Sequence, residues 1–449
     1  MEAWLFYCIL AVLILGMLAG IALMSRVEKA ALGNKLSAVC TLAAIVLAMF
    51  WYDMLSATDV WIVLAIGLVL GLIGAYRVKM IEMPQAVAIL NGFGGAASAF
   101  VAIVALYGRD ISVYETIVAG LALCIGMLTL TGSLVAAGKL HNVLPQKPVV
   151  WGRHKEIVIA AVVLMLVLLV VVPLDTGLHI AWLIASMLVI SGFFGVAFAI
   201  RIGGADMPIT ISLLNSLSGV AVSAAGMTVS DPLLVAVGGV VGAAGLILTR
   251  IMCKAMNRRL MEILLGKTAV AVKPATLDDV DNNTPALDPK QLLAEAKTVI
   301  IVPGYGMALA QAQELVKQLA EKLEAGGTDV KYAIHPVAGR MPGHMNVLLC
   351  EVDVPYDKLY DIDDINPMFT DCDVAIVVGA NDVINPAAET EKDTPIYDMP
   401  ILHVKDAKHI IICNYDLQPG YSGVPNMLYE ANNVVMLLGD AKESIESLI

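Results

Sequence analysis

The stretch that decides the fold of the C-terminal part is TVIIVPGYG, residues 298–306. Its β-branched residues predict a buried strand over Thr298 to Pro303. A helical stretch from about Met307 to Leu323 follows, so Gly304-Tyr305-Gly306 stands at the turn from strand to helix. Glycines at such a turn let backbone amides approach the pyrophosphate of a dinucleotide. The stretch therefore predicts an α/β domain with a nucleotide site.

Outward from this stretch, apolar runs alternate with helical segments over residues 291–449. This alternation is typical of a Rossmann-like domain with a mostly parallel, doubly wound sheet. The further predicted strands are Val330 to His335, Val347 to Val352, Val374 to Val378, His409 to Cys413 and Val434 to Leu438. Ligands of such folds bind at the carboxyl ends of the strands.

Polar loops with glycine follow three predicted strands, at residues 338–344, 379–382 and 419–423. Each loop by itself is more typical of an ordinary turn, but together with residues 304–306 they favour a nucleotide site. Two positions depart from the usual dinucleotide fingerprint. Leu309 replaces its third glycine, and His335-Pro336 replaces the acid that binds the ribose hydroxyl. These departures predict an unusual binding pose.

The N-terminal part has a different composition. The 449-residue chain is 59% hydrophobic and 15% charged, which is too apolar for one soluble domain. A membrane crossing needs about 20 apolar residues, and nine runs qualify: 3–24, 35–52, 60–76, 84–106, 115–138, 156–173, 178–200, 208–228 and 231–253. We therefore expect a transmembrane domain over residues 1–260, a polar linker over 261–290 and the α/β domain over 291–449.

Charge in the loops predicts an orientation and excludes some partners. Loops between the predicted spans alternate between basic and acidic or mixed, and Lys254, Arg258 and Arg259 follow the ninth span. Basic loops mark the cytoplasmic side, so the C-terminal domain is expected in the cytoplasm. The net charge of −12 predicts no nucleic-acid partner. Seven cysteines without metal-ligand spacing predict neither a metal site nor a disulfide.

A short repeat opens the fourth and eighth spans. Glu82-Met83-Pro84 and Asp206-Met207-Pro208 are each followed, seven residues after the proline, by an asparagine, Asn91 and Asn215. At about 1.5 Å rise per residue, both amides lie roughly 10 Å inside the membrane. Two interpretations have about equal weight: hydrogen bonds between helices, or a hydrated proton pathway that includes Asp206 and Ser216. No Asp, Glu, Lys, Arg or His lies near the middle of any predicted span.

Four stretches resemble the β subunit of the proton-translocating nicotinamide nucleotide transhydrogenases, and the resemblance covers essentially the whole chain. The stretches are IMCKAMNR at 251–258, VPGYGMALAQAQ at 302–313, HPVAGRMPGHMNVLL at 335–349 and GANDVINPAA at 379–388. The resemblance implies Re/Si-specific hydride exchange between NAD(H) on a separate α subunit and NADP(H) held here in a flipped orientation, coupled to proton flow. It also implies an inner-membrane protein in contact with lipid, and a homodimer of αβ units.

The resemblance further implies which residues serve the nucleotide. Asp382 and Tyr421 are expected near the redox and coupling site, as the catalytic pair. The cofactor-binding residues expected from the glycine turn and the resemblance together are Gly304, Tyr305, Gly306, Val337, Ala338, Gly339, Arg340, Met341, Pro342, Gly379, Ala380, Asn381, Asp382, Val383, Met399, Asn414, Tyr415, Asp416, Gly420, Tyr421, Asp440 and Ala441.

Two positions depart from the family's pattern. Members often carry a membrane histidine where this sequence has Asn91, and others carry it on the α subunit, so we hypothesise that the partner supplies the titrating group. The Lys-Arg-Ser run that receives the 2′-phosphate is Asn414-Tyr415-Asp416 here, and an aspartate favours a free ribose hydroxyl. NADP(H) is still expected, with Arg340 and Lys408 as replacement cations, and NAD(H) in this site is the alternative.

Two alternatives belong to other functional classes. A channel or transporter gated by nucleotide binding would usually keep the third glycine and the acid after the second strand, which are both missing here. A purely structural membrane subunit would need no glycine-rich loops at strand ends. Both therefore rank below the transhydrogenase interpretation.

Overall fold

The computed structural model describes residues 2–24, 29–79, 82–108, 112–141, 143–145, 148–174, 179–256, 259–265, 288–339, 343–392, 394, 396–420 and 422–449. Within these ranges nine helices are long and apolar enough to cross a membrane. They are α1 (Ala3–Met24), α2 (Ala30–Trp51), α3 (Thr58–Arg77), α4 (Met83–Tyr107), α5 (Val113–Leu140), α6 (His154–Val171), α7 (Ile180–Ile200), α8 (Met207–Thr228) and α9 (Pro232–Ala255). Each overlaps one predicted run, so the prediction of nine long apolar helices is confirmed.

The helices of this bundle are buried to very different extents. Helix α8 is largely buried inside the bundle, whereas no residue of α3 is buried. Helices α8 and α9 meet at their backbones, since a Cβ atom added at Gly219 would lie 2.4 Å from the amide nitrogen of Gly242. Ser216 on α8 also donates a hydrogen bond from Oγ to the carbonyl of Gly242, at 2.6 Å. Small residues permit this approach, and α8 and α9 form a tight hairpin.

In the described part of the C-terminal domain, six strands form one parallel sheet in the order β3-β2-β1-β4-β5-β6. The strands are β1 (Thr298–Pro303), β2 (Asp329–Ile334), β3 (Leu359–Asp361), β4 (Val374–Val378), β5 (His409–Asn414) and β6 (Val434–Leu438). The remaining helices are α10 (Leu260–Leu265), α11 (Pro289–Glu295), α12 (Tyr305–Ala310), α13 (Gln313–Ala325), α14 (His344–Glu351), α15 (Ile362–Ile365), α16 (Ala387–Thr390) and α17 (Ala441–Leu448). The predicted doubly wound Rossmann-like fold is confirmed, and its strand order reverses between β1 and β4.

Both faces of the sheet are buried. Along β1, Val299 and Ile301 belong to one apolar cluster, whereas Ile300 and Val302 belong to another on the opposite face. Successive side chains of a strand point to opposite faces, so a strand covered on both sides needs an unbroken apolar run. This requirement explains why the VIIV run of β1 was readable from the sequence. It also leaves the ends of the strands as the accessible edges of the sheet.

Three predictions about this domain were wrong in detail. The predicted strand at Val347 to Val352 is instead helix α14, in which Met345, Leu348 and Leu349 are buried at helical spacing. The predicted single helix from Met307 is divided into α12 and α13, because Gln311 adopts a left-handed conformation with φ 52°. Strand β3, only three residues long, was not predicted.

Candidate nucleotide site at the carboxyl edge of the sheet

The floor of the candidate site is a backbone contact between the loops that follow β1 and β4. The amide of Gly304 donates to the carbonyl of Val378, and that of Gly306 donates to the carbonyl of Gly379, both at 2.9 Å. Gly379 has φ 66°, and a Cβ atom built there would lie 2.2 Å from Cα of Gly306. Glycine is therefore required at this crossing. The contact lies where the strand order reverses, which is where ligands bind in open α/β sheets.

The loop after β2 contains a histidine that is fully engaged by the protein. His335 is buried, and its ring Nδ1 accepts from the amide of Val337 at 3.3 Å, so Nε2 carries the hydrogen and donates to the carbonyl of Pro400 at 2.8 Å. Burial lowers the pKa of His335 to about 4, so the ring is neutral at pH 7. The position where a ribose-binding acid is usual thus holds an uncharged structural side chain.

Beyond His335, this loop reaches the membrane bundle. Val337 packs against a buried cluster of the bundle that includes Ile202, Met207 and Met252. Ala338 is buried and Gly339 has φ 99°. The next predicted site residues, Arg340, Met341 and Pro342, lie outside the described part of the chain. The contact of Val337 joins the carboxyl edge of the sheet to the helices.

A second loop, residues 415–426 after β5, is bonded to the segment 381–385 after β4. Asn381 Nδ2 donates to the carbonyl of Gln418 at 3.0 Å, and Asn385 Nδ2 donates to the carbonyl of Pro425 at 3.1 Å. Asn426 Nδ2 donates to the carbonyl of Asn381 at 3.2 Å. Amide side chains thus connect the two loops along most of their length.

Asp382 makes the tightest link between these loops. Its Oδ2 accepts from the amide of Ser422 at 3.0 Å, and its Oδ1 accepts from Ser422 Oγ at 2.5 Å. Gly420 also approaches the carboxylate, because a Cβ atom there would lie 2.8 Å from both carboxylate oxygens. Tyr421, predicted with Asp382 as the catalytic pair, lies outside the described residues. Hydrogen bonds to a carboxylate are among the stronger ones in proteins, so Asp382 and Ser422 hold the loops together.

The predicted ribose segment at the end of β5 has no cation. Asn414 is buried, and its Nδ2 donates to the carbonyl of Ala380 at 3.1 Å and to the hydroxyl of Tyr429 at 2.8 Å. The side chain of Tyr415 is exposed, and Asp416 Oδ1 accepts from the amide of Gln418 at 3.0 Å. The Nδ2 hydrogen bonds of Asn414 are therefore made within the protein, and Asp416 adds a negative charge to the carboxyl edge of the sheet.

Lys408, expected as a replacement cation for this segment, is at the other edge of the sheet. It precedes β5, whereas Asn414 ends β5, and Lys408 Nζ binds Asp373 Oδ1 at 2.7 Å. A six-residue strand separates its ends by roughly 20 Å. The expectation that Lys408 compensates for the missing run is therefore wrong.

Other predicted contact residues lie around the same edge. Asp440 caps α17 by accepting from the amide of Lys442 at 2.8 Å, and Ala441 is buried in the first turn. Met399 is buried beside the loops, and the carbonyl of Val383 accepts from the amide of Leu402. The sequence interpretation missed Tyr429 and Asn426 as members of the site. Asn426 caps the short helix at Met427–Glu430, and an asparagine before a helix is the signal that could have revealed it.

The predicted proton-pathway residues do not form a symmetric pair. The amide of Asn91 is buried and donates from Nδ2 to the carbonyl of Ile211 on α8, at 3.4 Å, whereas Asn215 is only half-buried. Asp206 is buried just before α8, and Ser216 binds α9. The structure thus places Asn91 in a helix-to-helix contact, as the hydrogen-bond interpretation expects. Within the described ranges no three His, Cys, Asp or Glu residues group as metal ligands.

Comparison with known proteins identifies the family. A family model described as NAD(P) transhydrogenase beta subunit matches residues 5–449. The chain is 39% identical over 456 residues to the NAD(P) transhydrogenase subunit beta of Rhodospirillum rubrum, a match covering 98% of this chain and 97% of that protein. The protein of the same name from Rhodospirillum rubrum strain ATCC 11170 gives the same identity and coverage. Since the family model spans nearly the whole chain and the relative is 39% identical over 98% of it, the chain belongs to the NAD(P) transhydrogenase beta subunit family.

Proposed function

We propose that this chain works with an α subunit as a proton-translocating NAD(P) transhydrogenase. It would hold one nicotinamide dinucleotide in its C-terminal domain and exchange a hydride with NAD(H) on the α subunit. The family's pattern implies NADP(H) as the dinucleotide of this domain, and NAD(H) is the alternative. Residues 1–260 would form the translocating domain, 261–290 the linker and 291–449 the nucleotide domain. The observation that carries the proposal is the contact of Val337, beside the candidate site, with the buried cluster of the membrane bundle.

The crevice fits a dinucleotide because its floor is bare backbone. The contact between Gly306 and Gly379 excludes side chains there, so a pyrophosphate can approach the chain closely. Residues 304–306, 337–339, 379–383 and 414–420 would hold the nucleotide. When bound, the nicotinamide supplies the hydride chemistry, and the protein supplies orientation, electrostatics and exclusion of water. Asp382 would act by positioning, since its carboxylate is bonded to Ser422.

Coupling requires that the two halves of the chain sense each other. A proton can drive the nucleotide domain only if the protonated and deprotonated bundles prefer different states of that domain. Val337 belongs to the loop after β2 and packs against a cluster to which α8 and α9 contribute, so a shift of these helices would alter the loop beside the nucleotide. We propose that the partner subunit places a titrating group near Asn91 and Asn215. Protonation of that group would move α8 and thereby change the affinity for the nucleotide.

The test uses the complete chain with its α subunit in sealed lipid vesicles that contain a pH-sensitive dye. Hydride transfer is followed from the absorbance of the reduced nucleotides, and proton movement from the dye. We expect both to occur together, and we expect Val337→Ala to lower the number of protons moved per hydride while transfer continues. Val352→Ala is the matched control, because Val352 is also half-buried but packs against the core of the C-terminal domain.

Each other outcome contradicts part of the proposal. Absence of hydride transfer in the wild-type complex would refute the enzyme assignment, and proton flow on nucleotide addition without transfer would favour a nucleotide-gated channel. Equal coupling in the Val337 and Val352 variants would refute the route through Val337.

The proposed location follows from charge and from the family's pattern. The basic loops and the basic residues after α9 support a C-terminal domain on the cytoplasmic side of the membrane. The family's pattern implies that this is the inner membrane. The family's pattern implies a homodimer of αβ units embedded in lipid. Protease digestion of inside-out and right-side-out vesicles tests the orientation, since a cytoplasmic domain is cut only in inside-out vesicles.

A further inference from the structure

The nucleotide crevice has two sides, and the adenosine ribose of a bound dinucleotide lies on one of them. Because the strand order reverses between β1 and β4, one half of the ligand lies near the ends of β1–β3 and the other near the ends of β4–β6. A 2′-phosphate would bring almost two negative charges to whichever side holds the adenosine. The side chains at both strand ends therefore decide whether it is accepted.

On the β2 side, the first side chain available after the strand is neutral and already bonded. His335 donates to the carbonyl of Pro400 and accepts from the amide of Val337, so neither ring nitrogen is left to donate to a phosphate. Its ring is buried to 2% exposure, which disfavours the charged imidazolium form that could attract an anion. Val337 and Ala338, which follow, are apolar.

On the β5 side, the last residue of the strand and the two residues that follow it offer no cation. Both N–H groups of the Asn414 amide are already used, because they donate to the carbonyl of Ala380 and to the hydroxyl of Tyr429. Tyr415, 79% exposed, has a neutral phenol, and Asp416 has a carboxylate. Asp416 Oδ1 accepts one hydrogen bond, from the amide of Gln418. A carboxylate has about four acceptor positions, so Asp416 can also accept from a ribose hydroxyl.

The charged side chains at the two edges of the sheet also disfavour a 2′-phosphate at this site. In the described loops that follow the six strands, at 304–306, 335–339, 362–364, 379–382, 415–420 and 439–442, the sole Lys or Arg is Lys442. The same segments contain five aspartates: Asp363, Asp364, Asp382, Asp416 and Asp440. Lys297 and Lys408 precede β1 and β5 at the opposite edge. Among the described residues of these loops, a phosphate monoester meets mainly negative charge.

We infer that this site recognises the adenosine ribose through its free 2′-hydroxyl, with Asp416 as acceptor, and that it binds NADH at least as tightly as NADPH. The inference rests on the proposed nucleotide function and names the specificity-determining residue of that site. Asp416 accepts a hydrogen bond from the hydroxyl and repels a 2′-phosphate, so one side chain both favours one nucleotide and disfavours the other.

The experiment is a calorimetric titration of the complete chain, purified in detergent without its α subunit, with NADPH and NADH in parallel. Omitting the α subunit removes the second nucleotide site that would otherwise bind NADH. For the wild type we expect NADH to bind with equal or lower Kd than NADPH. For Asp416→Lys we expect the ratio of the two dissociation constants to shift towards NADPH by about 30-fold, because a repelling charge becomes a phosphate-binding one. Asp416→Asn should give a smaller shift in the same direction.

Asp371→Lys is the matched control, since it makes the same charge change at an exposed position just before β4, at the opposite edge. An equal shift in this variant would overturn recognition by Asp416 in favour of a general charge effect. NADPH binding to the wild type at least tenfold tighter than NADH would overturn the inference, and its loss in Arg340→Ala would then identify the responsible cation. Binding of neither nucleotide to a folded chain would instead refute the proposed function.

Discussion

The two edges of the parallel sheet are built on opposite principles. At the amino edge, the carboxylate of Asp373 accepts from the amides of Lys297 and Thr298, at 2.9 and 3.1 Å, and from Lys408 Nζ at 2.7 Å. At the carboxyl edge, Gly306 and Gly379 meet with no side chain between them. The amino edge is stabilised by hydrogen bonds to the carboxylate of Asp373, whereas the carboxyl edge stays open because its glycines have no side chains. The same strands thus support stability at one end and a ligand site at the other.

The substitution with the largest expected effect is Gly379→Ala at the carboxyl edge. The new Cβ atom would lie 2.2 Å from Cα of Gly306, and φ is 66°, so the backbone must shift. We expect a destabilisation of at least about 3 kcal/mol or loss of nucleotide binding, measured by thermal unfolding and titration. Gly327→Ala is the control at the amino edge, because Gly327 has φ 91° but no heavy atom within 4 Å of an added Cβ. It should cost about 1 kcal/mol, and an equal loss in both variants would remove the crowding argument.

The second test is Asp373→Ala, which removes the fastening of the amino edge. Several hydrogen bonds to one carboxylate are lost, so we expect a destabilisation of about 2 kcal/mol. Nucleotide affinity should stay unchanged, because Asp373 precedes β4 and the site follows it. A change in affinity comparable to that of a carboxyl-edge variant would break the separation of the two edges.

The same aspartate gives the comparison a pH dependence. Hydrogen bonds from Lys408 and from the amide of Lys297 lower the pKa of Asp373 to about 2, from a model-peptide value of 3.8. A lowered pKa means that the unfolded chain binds the proton more readily. The stabilisation is therefore complete above pH 3.8 and is lost as the pH falls towards 2. Unfolding midpoints of wild type and Asp373→Asn should converge over that interval, and parallel curves would contradict this.

The third test is Ser422→Ala at the carboxyl edge. It removes the hydroxyl bonds to Asp382 and to the amide of Val424 but keeps the bond from the amide of Ser422 to Asp382, so the loop 415–426 should open more often. We expect nucleotide to dissociate about tenfold faster, measured by stopped-flow fluorescence of the bound reduced nucleotide. Ser422→Thr should restore the slow rate. Ser447→Ala is the control, because its hydroxyl bonds only locally within α17.

The smallest expected effect is that of Lys408→Met. Lys408 is well exposed although paired with Asp373, and exposed ion pairs contribute little. We expect the unfolding midpoint to change by less than about 2 °C. A larger shift would mean that the amino edge depends on its cation more than on the backbone amides that Asp373 binds.

The sequence predicted the fold where local pattern and burial agree. Buried strands such as β1 and β4 need unbroken apolar runs, so their bounds were read correctly. Val347 to Val352 was misread because an apolar run of six residues suits a strand and a short helix alike. Only tertiary packing, which buries Met345, Leu348 and Leu349 on one side of α14, decides between them.

The site was predictable as a set of loops and not as a set of contacts. The glycine loops after β1 and β4 were identified from the sequence, but the contact between Gly306 and Gly379 depends on the distance between neighbouring strands. Lys408 is close to Asn414 along the chain, yet an extended strand places them at opposite edges. The link between Asp382 and Ser422 joins residues 40 positions apart, and no local pattern encodes it.

The hairpin of α8 and α9 has a mechanical consequence. The backbones of α8 and α9 touch, so no side chain between them can change rotamer to let one helix slide along the other. We therefore expect the two helices to move together as one rigid pair. Ser216 fixes its register by bonding to Gly242. A movement of α8 is therefore expected to carry α9 with it, whereas the 3.4 Å hydrogen bond from Asn91 Nδ2 to the carbonyl of Ile211 can break and re-form. A small molecule that blocks the movement of this helix pair would have to bind between α4 and α8, because the contact between α8 and α9 leaves no space for a ligand.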